Sequence, residues 1–264
     1  MKLPVRIVEK PWGRTDIPAA FGDFGDRRIG EIWFEDPDGD AAPLMVKFLF
    51  TSERLSIQVH PDDAAAQAAG YPRGKEECWL VLDATPDAEL GVGLTQATDA
   101  DALRVAALDG SIEGMIDWRP AKAGDFVYNA AGTIHAIGAG VTVVEVQQNV
   151  DCTYRLYDYG RPRELHLDAG LAVSRTTPHV EPRDRHVPPQ GTLTLVSGPH
   201  FHLVRVTDSW PALDCGGQAV TVVPLSSGCT VAGEPLAYGE CARVSDPASV
   251  TLASGASALA CWPA

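Results

Sequence analysis

Short runs of β-branched and aromatic residues dominate this chain, and Gly, Pro, Asp and Asn separate them. Such runs favour β-strands and the separating residues favour turns. The 25 glycines and 20 prolines among 264 residues supply many chain reversals. We therefore expect an all-β protein. The predicted strands are residues 44–50, 55–60, 78–83, 125–129, 141–148, 192–198, 201–207 and 219–225, followed by a weak C-terminal hairpin.

Helical patterns are few and short. Asp62 precedes an alanine-rich run at 64–69, which a glycine and a proline end. Thr98 precedes a second run at 99–109 with apolar residues at helical spacing, and residues 111–118 are expected to continue as a further short helix. Short helices among many strands predict a β-barrel or sandwich with a small helical layer on one side.

One change of composition divides the chain. Residues 176–190 are polar, rich in proline and without periodicity, which is typical of a linker. The chain is long enough for one large domain or two smaller ones. We expect a motif-bearing domain at 1–175 and a shorter β-rich part at 191–264.

The charge and the cysteines restrict the partners and the compartment. The net charge is −14, from 35 acidic and 21 basic residues, and an acidic surface repels nucleic acid and anionic membranes. There is no signal segment and no apolar run of about 18 residues. Six dispersed cysteines without a C-x-x-C pair are typical of free thiols in a reducing compartment. We expect a cytoplasmic protein that binds neither nucleic acid nor membrane.

Three segments carry residues that bind metal ions. In the strand LSIQVH, alternation places Gln58 and His60 on one face. Glu77 begins an apolar strand, where an unpaired buried carboxylate is costly, and His135 follows a tight turn. Each of these residues alone is more typical of a solvated strand face or of an ordinary core histidine. Together, two histidines and a glutamate are a standard ligand set for Zn²⁺, and a glutamine oxygen can add a further ligand.

A fourth segment gathers arginines. Glu145 lies in a predicted strand, and Arg155, Arg161 and Arg163 follow it closely. The planar guanidinium group suits phosphate because it donates two parallel hydrogen bonds. A surface network of ion pairs with the neighbouring acidic residues explains the same pattern equally well.

These segments resemble the type I mannose-6-phosphate isomerases, particularly the short bacterial form. Seven matching pieces occur in the family's order over roughly the first two-thirds of the chain, which is far more specific than one short motif. They are KPWG (10–13), GEIW (30–33), VKF (46–48), LSIQVHPDD (55–63), GKEECWLVLDA (74–84), AGDFVYNAAGTIHAIGAG (123–140) and EVQQNVDCTYRLYDYGR (145–161).

The resemblance implies a cupin fold, a jelly-roll β-barrel, with one catalytic Zn²⁺ per chain. It implies interconversion of mannose 6-phosphate and fructose 6-phosphate through a cis-enediol. We expect the protein to be a monomer or a homodimer. The matching motif positions imply the metal ligands Gln58, His60, Glu77 and His135 and the catalytic residues Lys75, Glu145 and Arg155.

The residues leave other functions open. The proton-transferring base is Glu145, Lys75 or a metal-bound water, and the sequence does not choose among them. Another metal-dependent cupin enzyme, such as a different sugar isomerase or a dioxygenase, would use the same ligands, because a fold does not fix a reaction. A non-catalytic cupin that binds sugar phosphate is a further alternative.

The chain departs from the family pattern in two places. Residues 129–132 read Asn-Ala-Ala-Gly where the family usually has Val-Pro-Ala-Gly. Loss of the proline frees a backbone angle in the turn before His135, and we expect a slightly looser ligand. The part after residue 190 is short and matches weakly. We expect its His200 and His202 to be surface or core residues rather than a second metal site.

Overall fold

Strands dominate the computed structural model, which describes all of residues 1–264. The all-β prediction is confirmed. The strands before residue 190 are β1 (Val5–Arg14), β2 (Ile29–Phe34), β3 (Leu44–Phe50), β4 (Ile57–Val59), β5 (Glu77–Ala84), β6 (Glu89–Leu94), β7 (Ile116–Pro120), β8 (Asp125–Asn129), β9 (His135–Ile137), β10 (Val141–Gln148), β11 (Tyr154–Tyr157) and β12 (Arg185–His186). Those after it are β13 (Leu193–Ser197), β14 (Phe201–Thr207), β15 (Val220–Pro224), β16 (Cys229–Val231), β17 (Glu234–Leu236), β18 (Ala242–Val244), β19 (Val250–Leu252) and β20 (Ser257–Pro263).

The helices are short, and none is long and apolar enough to cross a lipid bilayer. The α-helices are α1 (Asp63–Ala68), α2 (Ala100–Asp109) and α3 (Leu167–Val173). Single 3-10 turns lie at Ala19–Phe21, Gly39–Ala41, Ser111–Gly114 and Pro247–Ser249.

The first part of the chain forms a sandwich of two antiparallel sheets. The first sheet has the strand order β1-β2-β3-β10-β5-β8-β12 and the second has the order β11-β4-β9-β6-β7. Their inner faces meet in one apolar cluster, in which Trp79 and Val143 of the first sheet pack with Val92 and Ile137 of the second. This face-to-face packing is the jelly-roll arrangement expected for a cupin.

Helices cover the outer face of the second sheet. Leu103 of α2 and Leu171 of α3 belong to one buried cluster with Ile57 of β4 and Ala136 of β9. The predicted helical side layer is therefore confirmed. The metal-binding segments described below lie on the opposite, inner face of this sheet.

The C-terminal part adds two more sheets. A third sheet, β13-β14-β20-β15-β18, packs against the outer face of the first sheet, and its Phe201 and Leu259 share a core cluster with Phe48 and Tyr128. Its other face packs against a small fourth sheet, β17-β16-β19. The fold is thus a stack of four sheets, with α2 and α3 on one side.

Residues 176–190 contact both sheets of the sandwich, since Arg119 of β7 lies 3.2 Å from Asp184 and β12 lies at the edge of the first sheet. Within them, β12 pairs with β8, and the side chain of Val187 is buried. The segment that the composition predicts as a linker therefore contacts the first sheet closely. The division of the chain into two domains at this segment stays a prediction.

The structure corrects two local predictions. Helix α2 is capped by Asp99 rather than Thr98, because the Asp99 carboxylate accepts the Ala102 N–H at 2.8 Å. The helix predicted over residues 111–118 is wrong beyond its first turn. From Ile116 onward the chain forms β7, because it pairs with β6 at the edge of the second sheet.

Candidate metal centre

The predicted ligands meet between the two sheets of the sandwich. Gln58 of β4 and His135 of β9 are register partners on neighbouring strands of the second sheet, and His60 follows directly after β4. Glu77 begins β5 in the first sheet. The histidines and Glu77 are at most 2% exposed, and their ligand atoms lie within 4.8 Å of one another.

The donor atoms converge on Glu77. Nε2 of His60 lies 3.3 Å from Glu77 Oε2, and Nε2 of His135 lies 3.4 Å from Glu77 Oε1. The amide of Gln58 lies beside this group, with Nε2 3.3 Å from His135 Nε2 in its assigned orientation. Rotation of the amide by a half-turn brings the Gln58 oxygen to the same position.

Both histidines are fixed in one tautomer. His60 Nδ1 lies 3.0 Å from the carbonyl oxygen of Cys152, and His135 Nδ1 lies 2.8 Å from that of Thr133. A carbonyl oxygen only accepts hydrogen bonds, so each Nδ1 carries the proton and each Nε2 presents a lone pair. Metal-binding histidines are commonly held in this way.

Burial and Lys75 set the protonation states. Burial, and then the charge of Lys75, lowers the pKa of His60 to about 3, and burial also lowers the pKa of His135. Burial opposes ionisation of Glu77, but Lys75, whose Nζ lies 2.9 Å from Oε2, and the two histidines together outweigh it and hold the pKa of Glu77 well below its usual range. At neutral pH the group therefore holds two neutral imidazoles and one carboxylate, as a metal site requires.

The donor set fits a divalent metal ion. Despite the nearby Lys75 ammonium, Glu77 Oε2 is buried without a hydrogen bond of acceptable geometry. A buried carboxylate oxygen in that state is costly unless it has another partner. A metal ion between the three side chains would be such a partner.

The cavity beside this group is richer in basic groups than the chain as a whole. Although the net charge of the protein is −14, basic side chains slightly outnumber acidic ones in the lining, and a divalent cation would add further positive charge. The basic residues of the lining are Lys10, Lys47, Lys75, Arg155 and Arg163, and the acidic ones are Glu31, Glu77, Glu145 and Asp151.

Of the three predicted arginines, Arg155 is the one whose side chain is least neutralised. It lies in β11 as the register partner of Gln58. Its guanidinium donates to the carbonyl oxygen of Glu164 at 2.8 Å, while its buried Nε has no partner. Arg163 also lines the cavity but binds Asp158. Arg161 binds Asp158 and Glu53 and is absent from the lining.

Glu145 lies in β10, is 2% exposed and also faces the cavity. Trp79 Nε1 donates to its Oε2 at 2.9 Å, and Lys47 Nζ lies 3.0 Å from its Oε1. Burial, and then the charge of Glu77, raises the pKa of Glu145 to about 7. Sequence reasoning missed Lys47 and Glu31. Each interrupts an apolar strand, but their partners are identified only by the strand order.

The turn before His135 is closed by backbone hydrogen bonds. Gly132 has φ +83°, its N–H donates to the carbonyl oxygen of His60 at 2.8 Å, and the Thr133 N–H donates to that of Ala130 at 3.0 Å. The first of these bonds joins the turn directly to the other histidine. The looser ligand expected from the missing proline stays a prediction.

The two C-terminal histidines lie outside the metal centre. His200 precedes β14, and its ring nitrogens lie 3.7 Å from the carboxylates of Asp63 and Glu76. His202 stacks on Trp262 with ring centroids 5.2 Å apart. Neither belongs to the group formed by His60, Glu77 and His135.

Comparison with known proteins finds mannose-6-phosphate isomerases. A probable mannose-6-phosphate isomerase of Bacillus subtilis is 37% identical over 173 residues, which are 61% of this chain and 54% of that protein. A mannose-6-phosphate isomerase of Streptococcus mutans is 37% identical over 180 residues, 65% of this chain and 57% of that protein. The matched region thus spans little more than half the length of these relatives. No protein-family model matches the chain.

Comparison of the structure covers the whole chain. The crystal structure of the mannose 6-phosphate isomerase of Bacillus subtilis superimposes with a TM-score of 0.81 at 26% identity, over 98% of both chains. A zinc-bound mannose 6-phosphate isomerase superimposes with a TM-score of 0.74 at 15% identity, over 99% of this chain and 98% of that one. The resemblance indicated by the sequence motifs and the cupin fold are both confirmed.

Proposed function

We propose that this chain, a relative of the mannose-6-phosphate isomerases in its sequence motifs and its whole fold, is a metal-dependent aldose–ketose isomerase. Its reaction is the interconversion of mannose 6-phosphate and fructose 6-phosphate through a cis-enediol. The observation that carries this proposal is the convergence of His60, Glu77 and His135 next to a cavity that also contains Lys75, Glu145 and Arg155.

The cofactor in this proposal is one Zn²⁺ per chain, with His60, Glu77 and His135 as ligands and the Gln58 oxygen as a further one. Two imidazoles and one carboxylate favour zinc, whereas calcium and magnesium prefer more oxygen ligands. The zinc-bound relative of the same fold agrees with this choice. When bound, zinc supplies a Lewis acid that polarises the substrate carbonyl and stabilises negative charge on its oxygen.

The proton transfer needs a base near C1 and C2 of the sugar. Glu145 serves as that base, since a pKa raised to about 7 matches a group that accepts and returns a proton at neutral pH. Lys75 contacts Glu77 and His60. Its ammonium group is therefore engaged with the metal ligands, and Lys75 is not proposed as the base. Arg155 binds an anionic oxygen of the substrate, since it lines the cavity and its guanidinium group donates to a backbone carbonyl rather than to a carboxylate.

The substrate and the compartment are part of the same proposal. A hexose phosphate is an anion, and the basic side chains of the cavity favour its entry against the net charge of the protein. All six cysteines are buried free thiols, which agrees with a cytoplasmic enzyme. The enzyme acts on free sugar phosphate as a monomer or homodimer, without nucleic acid or membrane.

The proposal is tested by a coupled assay for fructose 6-phosphate formed from mannose 6-phosphate. We expect turnover that a chelator abolishes and that added Zn²⁺ restores. A folded, zinc-loaded protein without turnover would contradict the proposed reaction. In that case, the assignment of the metal ligands would be tested separately, by measuring the zinc content of the protein.

A further inference from the structure

A row of alternating charges crosses the inner face of the first sheet. Lys10, Glu31, Lys47 and Glu145 come one each from β1, β2, β3 and β10, which are neighbours in that order. The distances from Lys10 Nζ to Glu31 and from Glu31 to Lys47 Nζ are both 3.4 Å, and that from Lys47 Nζ to Glu145 is 3.0 Å. Side-chain exposure falls from 32% at Lys10 to 3% at Glu145.

Fold stability alone does not account for this row. Burial of ionised side chains costs free energy, and apolar residues of similar volume often give an equally stable or a more stable core. The charges also line the cavity rather than the apolar cluster between the sheets. Their position suggests a role in the chemistry of the cavity.

Tryptophans and Lys47 fix the orientation of the carboxylates. The Trp33 indole donates to Glu31 at 2.7 Å, as Trp79 does to Glu145 at 2.9 Å. Lys47 is the direct register partner of Glu145 and also contacts Glu31. Lys47 Nζ contacts Glu145 Oε1 at 3.0 Å, and no other group hydrogen-bonds this oxygen.

We infer that Lys47 is a positioning residue for Glu145, a role that rests on the proposed function. Lys47 holds the Glu145 carboxylate in its ionised form at the wall of the cavity, while Glu31 contacts Lys47 from the other side. Without Lys47, the buried Glu145 carboxylate loses the cation that contacts it, and burial then favours its protonated form, which cannot accept a proton from the substrate.

The other charged groups around the cavity do not replace Lys47. On the β5 side, Lys75 already contacts Glu77 and His60. From the second sheet, His135 is neutral, and Arg155 donates to the Glu164 carbonyl. The remaining charged groups of the lining are Lys10, Glu31, Asp151 and Arg163, of which Lys10 contacts Glu31 and Arg163 contacts Asp158.

The central test is Lys47→Met, which keeps much of the side-chain length and removes the charge. We expect kcat to fall by about 100-fold, the range of a general base, with a much smaller change in KM. The acid limb of the kcat–pH profile should move to higher pH by at least about one unit, and the zinc content should stay unchanged. Lys47→Arg should recover most of kcat. Lys2→Met, which removes a lysine from an exposed ion pair, is the matched control.

A second variant, Glu31→Gln, should shift the acid limb of the kcat–pH profile in the opposite direction. Glu31→Gln leaves Glu145 as the remaining carboxylate partner of Lys47, so the ionised form of Glu145 is favoured and the acid limb should move to lower pH. A purely structural role of the row predicts no such opposite shifts. Should Lys47→Met not fold, the Glu31→Gln profile decides the question by itself.

Infrared spectroscopy tests the inference without turnover. At pH 7, Lys47→Met should show more of a protonated carboxyl band than the wild type, and this band should be absent from Lys47→Met combined with Glu145→Gln. If the wild type turns over but neither the band nor the acid limb moves in Lys47→Met, the inference is overturned and the proposed function stands. If the wild type does not turn over, the proposed function fails, and an unmoved band would overturn the inference as well.

Discussion

At the scale of single residues, the tautomers of His60 and His135 carry the case for a metal ion. Each Nδ1 is occupied by a backbone carbonyl oxygen, and each Nε2 faces Glu77. The Lys75 ammonium, 3.1 Å from His60 Nε2 and 2.9 Å from Glu77 Oε2, offsets part of the cost of this convergence, and a divalent cation would offset more. The metal centre is therefore a property of the backbone as well as of the three side chains.

Glu77→Gln should abolish stable zinc binding. The change keeps the side-chain shape but removes the negative charge that two neutral histidines need from their third ligand. We expect less than about one tenth of the wild-type zinc to remain after dialysis, with a parallel loss of turnover, since loss of supporting interactions alone already costs 10–100-fold in affinity. Metal analysis measures this directly.

The matched control for that change is Glu76→Gln. The adjacent carboxylate contacts the Tyr128 hydroxyl rather than His60 or His135, so this variant should keep its zinc. Full zinc content in Glu77→Gln would mean that Glu77 is not a ligand.

Arg155→Ala should lose most of kcat and keep its zinc. Arg155 is the register partner of Gln58 but does not belong to the metal-binding group, so its loss removes substrate binding or charge stabilisation without removing the ion. A fall in kcat/KM of about 100-fold or more is expected for loss of such a charged donor. Steady-state kinetics and metal analysis on the same sample separate the two effects.

Arg161→Ala is the comparison for Arg155→Ala. Arg161 binds Glu53, Asp158 and the Arg54 carbonyl and does not line the cavity. Arg161→Ala should therefore lower the free energy of unfolding while leaving kcat close to the wild-type value. Equal losses of kcat in both variants would contradict the separate role of Arg155.

At the scale of elements, the sequence predicts features that depend on neighbouring residues, such as helix caps, better than features that depend on distant strand pairing. The Asp62 cap of α1 was predicted because an aspartate before an alanine run is a local signal, and the structure confirms it. The strands β6 and β7 were missed. Gly91 and Gly93 lower the strand propensity of β6, and β7 is a strand because it pairs with β6.

The site residues also differ in whether a local pattern reveals them. Gln58 and His60 were found together because the alternation of side chains along a strand is visible in the sequence. Lys47 and Glu145 are almost 100 residues apart and face each other only because β3 pairs with β10. Pairing of strands that are distant in sequence is not encoded in any local pattern, so that part of the site could not be predicted.

Gly74→Ala should disturb the segment that carries Lys75 and Glu77. A Cβ at residue 74 would lie 2.4 Å from the backbone of Asp62, and the Gly74 N–H donates to Asp63 at 2.7 Å. We expect a loss of about 1–3 kcal/mol in the free energy of unfolding, as for other overpacked sites, together with weaker zinc binding. Gly114→Ala, where a Cβ meets nothing within 4 Å, should change neither. Unchanged denaturant midpoints in both variants would show that the backbone at residue 74 adjusts freely.

At the scale of the whole molecule, the charged groups of the cavity lie on only one of the two faces of the first sheet. Its inner face carries the charged row and Glu77, whereas its outer face packs on the third sheet. Truncation of a large residue that packs against the outer face should therefore lower stability without affecting the metal centre.

Phe201→Ala provides that test. Phe201 is fully buried, and its ring centroid lies 6.0 Å from that of Tyr128 in the first sheet. We expect a loss of about 3–5 kcal/mol in the free energy of unfolding, measured by denaturant titration, with the full zinc content of the folded protein retained. Loss of zinc from folded Phe201→Ala would mean that the two faces of the sheet are coupled.

The apolar contact between the first and third sheets has a practical consequence for a chain that is cut. Residues 188–192 are exposed and join β12, which stays with the first sheet, to β13, which opens the third. A protease that cuts there leaves two fragments whose uncovered apolar faces fit each other, so the nicked protein migrates as two bands in denaturing gels yet elutes as one particle. All the proposed ligands remain on the longer fragment. Zinc binding by the longer fragment, measured with and without the short one, would therefore show whether the metal centre depends on their association.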